Sequence, residues 1–339
     1  MNHRLACILL VFITTACNAR VSGTPHGTEV IPPTNWSSPS PTVQSQAPSI
    51  TAGSRTDPPT TAVPPTTVPC DPSKNYCIEA GHFLLERPIA LPGTNTIDRG
   101  YPYGGTDGGK RETHHGVEFY DASGTPVLAA ADGLVLSAGD DSQTRMGPRL
   151  NFYGNVIILE HHFAGSPQPI YTLYGHLSKV EALTGQTVRS GDKIGEVGAS
   201  GEATGSHLHF EVRVGQNNYD STRNPILWLK PLIGEDGAST GVIAGGLVDA
   251  QGKTLQTTNI NIQYFLDNTK PEVAAYQVDT YSPGNKGANG DDLWNENFAL
   301  SDLTAGNYRL SLLWNGVLYE RRVPVQPGKL TFVVFKLDR

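Results

Sequence analysis

The sequence predicts an all-β protein: an N-terminal signal and disordered linker, then a β domain of many short strands, then a small β-sandwich. Three observations predict it. Short β-branched runs such as "GNVIILEHH" and "PIYTLYGHL" alternate with turn signals such as "RSGDK" and "ASGEATGS". Glycine (37 of 339 residues) and proline (25) are frequent, which favours turns and linker over helix bundles. No stretch carries a convincing amphipathic helical period, so only minor helix is expected, around "NPILWLKP". The net charge of -7 gives no electrostatic case for a nucleic-acid partner.

The elements follow in chain order. Residues 1–16 form an export signal, in which a short basic start (His3, Arg4) precedes an apolar run too short to span a bilayer. The run ends in "TTAC", which resembles the lipobox of bacterial lipoproteins and makes Cys17 the expected lipidation site. Thr14 stands where that motif usually has an aliphatic residue, and ordinary signal cleavage nearby is the alternative. Residues 17–69, as in "TDPPTTAVPPTTVPC", are Pro/Ser/Thr-rich, with too little apolar surface to offset the entropy of ordering; they are expected to be a disordered tether. Of the four cysteines, Cys70 and Cys77 remain as a pair in an exported, oxidising context, and a disulfide is expected. A zinc pair is disfavoured because no second pair of thiols exists. Residues 70–235 form the strand-rich domain. Residues 238–339 form the sandwich, in which "GLVDAQGKTL" and "LSDLTAGNYRLSL" resemble hairpins of the transthyretin-like or carboxypeptidase-regulatory family. That resemblance bears on fold and is nearly silent on function.

The chemistry concentrates in histidines. In "GSHLHFEVR", period two puts His207 and His209 on one strand face and turns Leu208 and Phe210 to the other. His176 ends "IYTLYGHL", and His114 opens "HHGVEF" four residues before Glu118. Four imidazoles and a carboxylate in an exported β domain suit zinc, which accepts nitrogen and oxygen ligands where no thiolate is available.

Three stretches in order carry a family resemblance: "HHGVEFYDASGTPVLAAADGLVLSAG", "YTLYGHLS" and "GQTVRSGDKIGEVGASGEATGSHLHFEVR". Together they resemble the LytM/lysostaphin family of zinc metallopeptidases, which cut peptide bonds in bacterial peptidoglycan. The resemblance implies a two-sheet LytM-type domain with one Zn2+ per chain, held by His114, Glu118 and His209. It implies that His176 and His207 are the non-ligand catalytic histidines, and that peptidoglycan peptides are the substrate. With the lipid anchor, it implies a protein attached to the cell membrane and facing the periplasm or cell wall.

The departure from the family pattern is Glu118, where the family has aspartate. The charge is the same, but the extra methylene moves the carboxylate by roughly 1.5 Å unless rotamer or backbone absorbs it. A misplacement near 1 Å costs on the order of a hundredfold in rate. Two functions are therefore carried forward: an active endopeptidase, and a non-catalytic peptidoglycan-binding or hydrolase-regulating module. Among other residues, His115 is expected to face away from the metal, and His161 and His162 to be solvated. Asp121 is a weak alternative ligand and Asp132 a turn residue. Tyr174, in phase with His176, is a candidate for lining the cleft. Trp294 and Trp314 are as well explained by core as by sugar contact.

Overall fold

The computed structural model describes residues 70–234, 237–256, 259–266, 272–284 and 287–337. The expected signal, the lipid site at Cys17 and the linker lie outside the described residues. Within them the chain is all-β, and its helical content is two single 3-10 turns, Tyr219–Ser221 and Pro225–Leu227. The "NPILWLKP" segment supplies the second turn. There Asn224 caps by accepting a hydrogen bond from the Ile226 amide, and Pro225 occupies the first position.

The first unit is built on a seven-stranded antiparallel sheet. Its central strand, Leu208–Val214, pairs on one side with Ile170–Leu177. Two short strands, Val117–Phe119 and Thr222–Arg223, share its other side. Beyond Ile170–Leu177 come Asn155–His161, Gly133–Asp140 and Thr187–Val188. A three-stranded sheet of Pro126–Leu128, Lys193–Glu196 and Lys179–Val180 accompanies it. The run "NVIIL" is apolar throughout because its strand is covered on both faces. Ile157 and Leu159 enter the main core, whereas Val156 and Ile158 pack with Tyr153 and Leu173.

One irregularity re-aims a side chain. Asn155 lies opposite Leu177 but Ile157 lies opposite Tyr174, so Gly175 and His176 share one opposing residue. This is a β-bulge, and His176 takes a φ of 61° within it. Strict alternation would point Tyr174 and His176 to the same face. The bulge separates them, and the expectation that Tyr174 lines the cleft is corrected. Tyr174 packs its ring on Phe210 in the core, and its hydroxyl accepts from the Ala130 amide at 2.9 Å.

The second unit has two four-stranded sheets. One holds Cys77–Glu79, Leu330–Leu337, Gly241–Asp249 and Phe298–Leu303 in that order; the other holds Glu272–Val278, Ile260–Phe265, Gly306–Trp314 and Val317–Val325. The Gly241–Asp249 strand runs parallel to Leu330–Leu337 and is apolar on both faces. Val242 and Ala244 face the core of the first unit, whereas Ile243 and Leu247 face the second sheet. Leu330 and Phe332 likewise join the first core, and Val333 and Phe335 the second. The two units thus share one continuous apolar seam, each large side chain in it contributing about 1.5–3 kcal/mol. Arg87 reinforces the seam through a nearly buried ion pair with Asp302.

The expected start of the first domain at Cys70 differs from the structure. Cys70 and Cys77 are disulfide-linked. The strand that follows at once, Cys77–Glu79, pairs with Leu330–Leu337 of the sandwich. The cause is that sheet's open edge, whose unpaired amides and carbonyls take the passing strand.

Candidate metal centre

Glu118 and His209 are direct cross-strand partners in the antiparallel pairing of Val117–Phe119 with Leu208–Val214, so their side chains rise from the same face. His114 precedes the strand. Two backbone bonds fix it: the Gly104 amide donates to its carbonyl at 2.8 Å, and its own amide donates to Gly105 at 3.0 Å. Tyr101 stacks on its ring at 4.2 Å. The intervening Gly116 has no room for a side chain, since a Cβ there would sit 2.6 Å from the Phe210 carbonyl and 2.7 Å from the His209 ring.

Three donor atoms converge. Nε2 of His114 is 2.8 Å from Oε1 of Glu118, Nδ1 of His209 is 3.1 Å from that oxygen, and the two nitrogens are 3.3 Å apart. All three residues are buried. Zinc bonds of about 2.0–2.2 Å at tetrahedral angles space the donors about 3.3 Å apart, so the set fits such an ion. The other carboxylate oxygen of Glu118 is buried without a hydrogen bond and lies 3.4 Å from Nε2 of His207. A buried carboxylate oxygen left in that state is costly, and a cation is what satisfies it. The longer side chain of Glu118 is accommodated, because its oxygen reaches both imidazoles.

Electrostatics follow from this packing. Burial alone would raise the Glu118 carboxyl, yet His209 and His114 beside it hold it well below the carboxylate range. Burial works against a charged His209, but Glu118 and then Glu211 push its imidazole up to about 10. His176 is lowered to about 4, first by burial and then by His209.

The two remaining histidines have defined tautomers. Nδ1 of His176 lies 2.9 Å from the Ser200 carbonyl, and Nδ1 of His207 lies 2.9 Å from the Gly205 carbonyl. A carbonyl only accepts, so each Nδ1 carries a proton, and in a neutral ring that leaves Nε2 as the acceptor. Their rings are 4.8 Å apart at the cleft that also holds the three converging donors.

Behind His209 lies a buried network that sequence reasoning missed. Nε2–H of His209 donates to Glu211 at 3.1 Å, and Tyr153 donates its hydroxyl to the same oxygen. Arg213 donates Nε to the other oxygen at 2.8 Å. Burial would raise Glu211, but Arg213 and His209 hold it down to about 2. A carboxylate behind a histidine turns the opposite nitrogen's lone pair toward the donor set. The signal was available, because period two from His207 and His209 continues to Glu211 and Arg213. At the mouth of the cleft, Arg149 donates to Glu112 at 2.9 Å and to Glu202 at 2.6 Å, joining two loops.

Other expectations are corrected or placed. His115 stays outside the donor set but is not turned away from the cleft. It is buried, stacks on Tyr219 at 4.0 Å, and its Nδ1 lies 2.7 Å from the Thr222 hydroxyl. His161 is fully buried rather than solvated, bridging the Asp132 carbonyl and the Thr172 hydroxyl at 2.8 Å each. It is the last residue of its strand, and the sheet is still covered there. His162 is exposed and pairs with Glu160 at 2.7 Å. Asp121 accepts from the Thr94 amide and Asp132 from the Ser190 amide, each at 2.8 Å. Trp294 packs against the main core and Trp314 against that of the sandwich.

Comparison with known proteins matches residues 112–221 to Peptidase family M23. The chain is 38% identical over 101 residues to the DD-carboxypeptidase/endopeptidase Mpg of Neisseria meningitidis, covering 30% of this chain and 20% of that protein. It is 35% identical over 116 residues to the peptidoglycan DD-endopeptidase ShyB of Vibrio cholerae, covering 34% and 24%. A solved structure, the catalytic domain of the antimicrobial peptidase lysostaphin from Staphylococcus simulans, is 32% identical. The likeness covers 39% of this chain and 90% of that one, with a TM-score of 0.31. The chain thus spans about a fifth to a quarter of the length of these curated relatives.

Proposed function

The segment 112–221 of this chain is a domain of peptidase family M23, and from that premise we propose that the protein is a zinc-dependent endopeptidase acting on bacterial cell-wall peptidoglycan. The carrying observation is the convergence of His114, Glu118 and His209, with the imidazoles of His176 and His207 at the same cleft. The named activities of the relatives support the substrate class.

In this reading His114, Glu118 and His209 hold zinc, which when bound polarises the scissile carbonyl and acidifies an attacking water. His176 and His207 divide the remaining work. One Nε2 would accept the water's proton, and the other imidazole would stabilise the charge developing on the carbonyl oxygen when its own Nε2 carries a proton. Burial keeps His176 unprotonated down to about pH 4, so its acceptor nitrogen is present at neutral pH. Glu211 and Arg213 fix the His209 ring from behind. The lipobox-like "TTAC" supports export and lipid anchoring at Cys17, facing the periplasm or cell wall.

A second reading, a non-catalytic peptidoglycan-binding or regulatory module, is favoured by one observation, the glutamate at position 118. The deciding experiment incubates the purified chain with peptidoglycan and analyses released muropeptides by mass spectrometry, with and without a chelator. Chelator-sensitive release with a defined cut bond supports the enzyme and identifies the bond. No release from the native chain, with release restored by Glu118→Asp, supports the regulatory module.

A further inference from the structure

We infer that the C-terminal sandwich forms one wall of the substrate cleft, and that the basic chamber it closes takes a carboxylate-bearing arm of the peptide substrate. The inference deepens the peptidase reading and rests on it for the substrate being a peptide.

A second cavity, about 860 Å³, adjoins the cleft at the donor set. The two share Arg111, Glu112, Thr113, His115 and Tyr219, so they lie side by side along that edge. The far wall of the second cavity comes from the sandwich unit: Gly284, Gly287 and Asn289. This wall is braced to the first unit. Nδ2 of Asn289 donates to the carbonyls of Asp220 at 2.8 Å and Thr222 at 3.2 Å. The Tyr103 hydroxyl is shared between the carbonyls of Thr222 and Asn289, at 3.1 Å each. Thr222 in turn holds Nδ1 of His115, whose ring lines both cavities. A hydrogen-bonded chain therefore runs from the sandwich to the wall of the cleft.

The charge of the chamber indicates its occupant. Lys110, Arg111 and Arg145 line it, in a chain whose net charge is -7. Of the lining carboxylates, Glu112 is already held by Arg149, leaving Asp220. Lys110 has a long contact of 3.8 Å to Asp107. Arg111 lies over the Tyr101 ring, and Arg145 gives its Nε to the Gly147 carbonyl. Neither arginine has a carboxylate partner among the described residues. Guanidinium groups so placed favour a carboxylate, which they take in a forked, charge-assisted geometry. A volume within about 300–1,000 Å³ suits several linked residues. Because the chamber adjoins the cleft along five shared residues, the chemistry favoured is an acidic arm of the chain being cut.

The test measures binding by fluorescence anisotropy on the full chain, with chelator present so that no cleavage intervenes. The probes are labelled Ala-Glu-Gly-Glu-Gly and its uncharged analogue Ala-Gln-Gly-Gln-Gly. The acidic probe is expected to bind more tightly, and Arg145→Ala or Arg111→Ala to weaken it by about threefold to tenfold while leaving the analogue unchanged. The sandwich wall is tested by the matched pair Gly284→Arg and Gly284→Glu. Both meet open space, and both carry the same strain at φ 132°, so their difference reports charge alone. The arginine variant is expected to bind the acidic probe more tightly than the glutamate variant, with equal melting temperatures. Equal affinity for the two probes, or for the two Gly284 variants, overturns the inference. Charge-selective binding by a chain that releases no muropeptides would keep the chamber and overturn the peptidase reading instead.

Discussion

Two glutamates, each with essentially no exposed surface, sit in different regions and hold different charges at neutral pH. Glu211 backs the cleft, between Arg213 and His209, and is held down to about 2. Glu296 lies in the sandwich unit near the seam, taking the Tyr281 hydroxyl and the Asp291 amide at 2.6 Å each. Burial raises it to about 8, with neutral donors and no cation to offset the effect. Burial acts on both in the same direction; the neighbours decide the outcome. The cleft invests in fixed charge that orients a histidine, whereas the seam keeps a neutral carboxylic acid.

The sharpest break of this comparison removes the histidine that Glu211 orients. His209→Ala is expected to abolish stoichiometric zinc binding, measured by metal analysis after dialysis, and with it muropeptide release. His207→Ala is expected to keep the metal and lose turnover, which separates holding from acting. Glu211→Gln comes next. It removes the charge behind His209 and leaves Arg213 buried without its carboxylate. Zinc affinity or activity should fall about 10–100-fold, and stability by roughly 3–5 kcal/mol in urea titration. A loss confined to stability, with metal affinity unchanged, would show that Glu211 serves only the fold.

The smallest effect is a slope. Between about pH 4.5 and 8 the folded state keeps a proton on Glu296 that the unfolded chain has lost. Stability from this group is therefore full below the unfolded value and lost as pH rises through about 8. The slope is at most about 1.4 kcal/mol per pH unit. Glu296→Gln should remove that slope, so its melting temperature should gain on the native chain steadily from pH 5 to pH 8. Glu211 runs the other way, its contribution being present above the unfolded value and lost as pH falls through about 2. A parallel pair of melting curves for native and Glu296→Gln chains would sink the assignment.

The strands and the converging residues were legible to different degrees. Period two in "HLHFE" places His207 and His209 at one cleft, His207 standing just before the regular strand Leu208–Val214. The same rule failed at "YTLYGH", where a bulge inserts one residue and sends Tyr174 and His176 to different faces. Nothing in the local pattern announces a histidine at positive φ. His161 was misplaced because exposure at a strand end depends on what covers the sheet, which is long-range information. The seam was hidden for the same reason. "GVIAGGLV" shows a strand covered on both faces, but not that one cover is the other unit. Asn289 and Gly284 lie some 175 residues from His114, and only the fold brings their loop to the cavity that His115 lines.

The short pairing of Cys77–Glu79 with Leu330–Leu337 has a mechanical consequence. The polypeptide upstream of Cys70 enters the described structure at the sandwich edge, through a loop closed by the Cys70–Cys77 bond. Tension applied along that upstream chain is delivered first to the sandwich edge, through the pairing of Cys77–Glu79 with Leu330–Leu337. The sandwich edge thus takes the first share of the load, ahead of the strands that carry the donor set.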